Sequence, residues 1–127
     1  MRTREDIEAY LERSQYPYQE IGEGTWVVRD PSGVHEQVAV RIAADVALFR
    51  VKVMDLPGGS APGPLASALL ELNASDMVHG AYGLSDGKVV LVATLRLENL
   101  DYNEFVGTLD DFGVALAKHR ERLSALA

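Results

Sequence analysis

The 127-residue sequence contains no cysteine. That absence rules out disulfides, thiolate zinc sites, iron–sulfur clusters and a cysteine nucleophile, and it fits a reducing compartment. Long apolar runs are also missing. The most apolar stretch, Lys88 to Leu97, is broken by Arg96 and falls far short of the roughly 20 residues that span a bilayer. The opening residues, Met1-Arg2-Thr3-Arg4-Glu5-Asp6, are charged from the second position and hold no signal-peptide core, so a cytoplasmic protein is expected. Basic residues are the minority, 12 against 19 acidic ones, and the formal charge of −7 argues against nucleic acid or an anionic membrane as the principal partner.

What is present reads as one domain over residues 1–127, because a chain of this size buries about two-thirds of its extended surface on folding. The linker-like stretch Leu56 to Pro64 is too short to separate two domains and reads as a loop. Thr3 and Asp6 resemble a capping box, with Ile7, Tyr10 and Leu11 on one face of a helix from about Arg4 to Arg13. Tyr18 to Ile21, Trp26 to Arg29, Val38 to Ile42 and Val46 to Met54 read as short strands between Gly, Pro and Asp turns. Alternation across Ala44-Asp45 predicts a hairpin with one wet face, carrying Arg41, Arg50 and Lys52. Pro62 and Pro64 suit the start of a second helix, whose stripe Leu65, Leu69 and Leu72 ends at Asn73. Val78 to Leu84 and Lys88 to Leu97 flank Asp86-Gly87, a strong hairpin signal. Asp101 and Glu104 then cap a long amphipathic helix on Phe105, Leu109, Phe112, Leu116, His119 and Leu123. The expected fold is α+β: a helix, three or so strands, a helix, two strands and a helix, with a twisted antiparallel sheet.

Chemistry-bearing motifs are sparse. His35 follows Ser32-Gly33 in a turn, His79 opens a strand, and His119 sits in the apolar stripe of the last helix, where it serves as an edge residue or a pH-sensitive one. None has a companion at metal-ligand spacing. Glu98, Asp101 and Glu104 lack the register of a calcium loop, and Asp110 and Asp111, adjacent on a helix, diverge by about 100°. Gly22-Glu23-Gly24 lies between strands and opens no helix, and no serine stands in a Gly-x-Ser-x-Gly elbow. No catalytic residue, metal site or cofactor is therefore expected, and the chain reads as a non-enzyme. A different reading, a small ligand-binding or enzymatic domain, would place a pocket near Trp26, Tyr82 and His79.

Surplus apolar surface remains. The strand Lys88 to Leu97 is apolar on both faces, which suggests a central position or a partner chain. Gly107 and Gly113 each cost a helix roughly 1 kcal/mol relative to alanine, and the close approach of another backbone would explain them. A homodimer or partner interface is therefore expected at Val90, Val92, Thr94, Phe105, Leu109, Phe112 and Leu116.

The Leu-rich helix Leu65 to Ala74 with its Asn73, the hairpin Gly83-Leu84 to Leu97 and the long helix entered through Asp101-Tyr102 resemble one recurrent stretch. It is that of the type III secretion chaperone-like superfamily, and the chain is most similar to its bacterial branch outside secretion, the sensory transduction regulators. The resemblance implies a cytoplasmic homodimer without catalytic activity that binds a protein client or signalling partner. It carries over no individual functional residue. The acidity then suits a binder that keeps apolar surface soluble.

Overall fold

The computed structural model describes residues 1–30 and 37–127, so the turn holding His35 lies outside the described residues. The order is α1 (Arg4–Ser14), β1 (Tyr18–Gly22), β2 (Thr25–Val28), β3 (Val38–Ala43), β4 (Val46–Asp55), α2 (Gly63–Ser75), β5 (Ala81–Ser85), β6 (Lys88–Arg96) and α3 (Tyr102–Ala125). Each of the four segments expected before α2 forms a strand, so the count there is four. The six strands form one antiparallel sheet in the order β1-β2-β3-β4-β6-β5. Both capping boxes are made: the Thr3 hydroxyl accepts from Asp6 N–H at the start of α1, and the Asp101 carboxylate from Glu104 N–H at the start of α3. Asp86 and Gly87, both at positive φ, turn β5 into β6.

β5 starts at Ala81, three residues later than its apolar pattern suggests. Gly80, at φ +85°, breaks the strand there, and a Cβ on it would meet the Val92 carbonyl at 2.7 Å and Phe112 Cε1 at 2.9 Å. Only glycine lets the chain pass this point.

Strand alternation sends Trp26, Val40, Phe49, Leu91 and Tyr82 to one face, where Ile7 and Leu11 of α1, Leu65, Leu69 and Leu72 of α2, and the whole stripe of α3 join them in one cluster. Phe49 anchors it, with ring centroids 5.3 Å from Phe105 and 6.4 Å from Phe112. α1 leans on the start of α3 through Tyr10, 5.6 Å from Phe105, and through Arg13 stacked over Tyr102. Each of these large side chains contributes roughly 1.5–3 kcal/mol by leaving water, which explains why all three helices gather on this face.

Asn73 completes the helix–sheet joint. Its Oδ1 accepts from Tyr82 N–H at 2.7 Å and its Nδ2 donates to the Tyr82 carbonyl at 3.0 Å, satisfying the outward backbone groups of the edge strand β5.

Candidate functional site

Among the described residues, no helix lies on the opposite face of the sheet. Paired positions place Gln19, Val27, Ala39, Arg50, Val92 and Ala81 in one row across all six strands. A second row holds Thr25, Arg41, Leu48 and Thr94, and a third Ala43, Val46 and Arg96. Lys52, Val90 and Gly83 form a fourth. The floor is thus small and apolar, with long cations rising from it. Among the described residues, Val90 is the only buried apolar one outside the main core cluster. Arg50 on β4, opposite Val92, donates across β6 to Ser85 Oγ on β5 at 3.0 Å. Val92, at 36% exposure, and Thr94 stay open.

Of the residues expected at an interface, Val90, Val92 and Thr94 share this uncovered face. Phe105, Leu109, Phe112 and Leu116 do not: all four are at most 4% exposed, because α3 spends its apolar stripe on Phe49 and the rest of the protomer's own core. The expectation for the last helix is corrected accordingly. Gly107 and Gly113 likewise have no close neighbour, since a Cβ on either meets nothing within 4 Å among the described residues.

The pocket expected near Trp26, Tyr82 and His79 does not form. Trp26 on β2 and Tyr82 on β5 are separated by β3, β4 and β6, about 19 Å at the ordinary strand spacing. Trp26 is fully buried, and the cleft between the α2–β5 connection and α3 is lined by Asp76, Met77, Val78, Asp111, Lys118 and His119, among others, without Trp26, Tyr82 or His79.

His79 and His119 are instead structural links between the α2–β5 connection and α3. His79 Nδ1 pairs with Asp111 Oδ2. His119, 5% exposed, joins Tyr82 Oη at 2.8 Å through Nδ1 and Asp76 Oδ2 at 2.5 Å through Nε2, and Lys118 Nζ adds a contact to Asp76 at 3.2 Å. A tyrosine–histidine–carboxylate chain has the form of a proton relay. Here burial, reinforced by the Asp76 charge, pushes the Tyr82 phenol up to about 12, so the hydroxyl keeps its proton at neutral pH and is no activated nucleophile. Asp76 is held below the usual carboxylate range, first by the His119 hydrogen bond and then by that of Lys118. No three His, Asp or Glu side chains among the described residues are placed to hold a metal ion. No helix of the described residues is long and apolar enough to cross a membrane.

The sequence hid this network because its hydrogen-bonded partners lie 32 to 43 positions apart and only the fold brings them together. The cations of the open face were, by contrast, visible in the strand alternation.

Comparison with known proteins follows the same architecture. The family model CesT_Tir_1 matches residues 1–127. No curated protein is similar enough in sequence to count as a relative. Among solved structures the chain is similar to the heterodimeric ExoU–SpcU complex of the Pseudomonas aeruginosa type III secretion system (20% identity, 94% of this chain and 96% of that one, TM-score 0.68). It is also similar to Escherichia coli YbjN, a suggested transcription regulator (13% identity, 93% and 91%, TM-score 0.67). A third is the Yersinia pestis type III secretion chaperone SycH in complex with a YscM2 fragment (14% identity, 95% and 96%, TM-score 0.60). At these identities the likeness is one of fold.

Proposed function

The chain belongs to the CesT_Tir_1 family, the type III secretion chaperones, and from that premise we propose that it is a non-enzymatic, chaperone-like adaptor that binds a protein partner. The observation that carries the reading is the uncovered sheet face around Val92 and Thr94. Three helices have saturated the other face, yet this one presents Val27, Ala39, Val46, Leu48 and Val92 with no helix or strand of the described residues over them. Exposed apolar surface of this kind marks a protein-interaction site. Two of the similar structures are themselves complexes with another protein.

The finer reading is a cytoplasmic homodimer that tunes a bacterial signalling or stress pathway. Light scattering at micromolar concentration tests the dimer, with twice the chain mass expected and a strict monomer contradicting it. Affinity capture from the native bacterium, comparing the wild type with Val92→Glu, tests the partner surface. The substitution places a charge on an already exposed position, so the melting temperature should hold while the captured partner is lost. Undiminished capture would remove the face from the account.

A further inference from the structure

We propose that the uncovered sheet face docks an acidic, extended segment of a protein partner, gripped by Arg41, Arg50 and Arg96 around Leu48. The inference rests on the protein-binding reading above and adds the chemistry of what is bound.

It starts from a segregation of charge. Acidic residues outnumber basic ones 19 to 12 over the whole chain, yet the outward rows of the sheet carry Arg41, Arg50, Lys52, Lys88 and Arg96 against one acid, Asp55. Asp55 is already engaged by Lys52 Nζ at 3.2 Å. Nine acids lie on the helices, among them Glu5, Glu8 and Glu12 on α1 and Asp110, Asp111 and Glu121 on α3, against five bases there, while Glu23, Asp45 and Asp86 stand in the hairpin turns at the ends of the sheet. Arg41, Arg50 and Arg96 are exposed. Among the described residues the guanidinium groups of Arg41 and Arg96 meet no carboxylate, and that of Arg50 donates only to the Ser85 hydroxyl.

Their spacing suits one class of occupant. Leu48 lies directly opposite Arg41, with Arg50 two positions along the same strand, which makes the two arginines diagonal neighbours about 7–8 Å apart. Arg96 lies opposite Val46, on the other side of Leu48. Alternate side chains of an extended peptide repeat every ~6.6 Å, so carboxylates on one edge of such a peptide meet successive guanidinium forks while its small apolar residues settle on Leu48, Val46 and Val92. Arginine is the side chain suited to this, being always charged and able to grip a carboxylate with two donors.

Two other occupants fit less well. Nucleic acid would find no stacking platform, because Tyr18, Trp26, Phe49 and Tyr82 all lie in rows that face the helices, and the remainder of the molecule is strongly acidic. A second copy paired by a twofold axis through this face would bring the arginine clusters of the two copies together, and like charges in apposition cost several kcal/mol.

The test uses the full chain and fluorescence anisotropy with three labelled probes: a peptide alternating Glu with Ala and Val, the same peptide with Gln for every Glu, and a single-stranded oligonucleotide of equal charge. The Glu peptide should bind at least about tenfold more tightly than the Gln peptide, and that advantage should shrink between about 50 and 300 mM salt. In the Arg41→Gln, Arg96→Gln double variant the Glu peptide should weaken about tenfold with the melting temperature unchanged. Equal binding of the two peptides, a tighter oligonucleotide, or a double variant that binds like the wild type overturns the inference. A Gln peptide that binds as well as the Glu peptide and is displaced by Val92→Glu would sink the acidic specificity and leave the protein-binding reading standing. Loss of that reading shows separately, as partner capture that does not depend on Val92.

Discussion

At the scale of single residues, the informative positions are those the fold uses twice. Gly80 ends the α2–β5 connection at a positive φ while its Cα faces the Val92 carbonyl and the Phe112 ring. Gly80→Ala should therefore destabilise the protein by about 2–4 kcal/mol, from the overpacking and the left-handed backbone together, read as a fall in urea midpoint. Asp76 gives a pH signature. Its folded carboxyl titrates below the ordinary value, so the unfolded chain binds the proton more readily, and the stabilisation is complete above about pH 4 and lost as pH falls through the lowered value. Glu20, lowered by its hydrogen bond to Arg4, adds to the same window. Melting temperature measured from about pH 6 down to about pH 3 should fall, and Asp76→Asn should flatten part of that slope. Residue roles were the least legible part of the sequence. His119 stood in an apolar stripe, which marks it as buried, but its partners Tyr82 and Asp76 follow only from how α2 and β5 dock on α3.

At the scale of elements, most of the architecture was legible. Caps at Thr3 and Asp101, the Asp86-Gly87 turn and the period-two pattern of β3, β4 and β6 each follow from local chemistry, and each stands in the structure where the sequence puts it. The pattern alone did not show which face of β6 belongs to the core, because Val89, Val90, Leu91 and Val92 are all apolar. Helix α3 illustrates the same gap: a stripe of Phe and Leu looks alike whether it packs on its own sheet or on another chain. The side chain that resolves the sheet's edge is Asn73. Removing it by Asn73→Ala leaves the outward N–H and carbonyl of Tyr82 without their partners, so a loss of about 1–3 kcal/mol and faster hydrogen exchange in β5 are expected. Unchanged exchange at Tyr82 would mean that water replaces the amide at no cost.

At the scale of the whole molecule, three helices on one side of a six-stranded sheet leave a second side on which no helix of the described residues packs. The net charge of −7 conceals an acidic helical layer and a basic, apolar sheet face. The fold places the cations of separate strands together, so an average over composition argues against nucleic acid and anionic membranes while the assembled surface favours an acidic protein segment. Association through this face should weaken as salt rises, since exposed arginines are screened beyond about 8–10 Å at moderate ionic strength. The account's central claim is that the partner lies on the sheet and not on the helices. Site-specific photo-crosslinking in the native bacterium tests it most directly, with the crosslinker placed at Val92 on the open sheet face or at Val114, exposed on α3. The account predicts a discrete crosslinked protein from position 92 and none from position 114; crosslinking from 114 alone would contradict it.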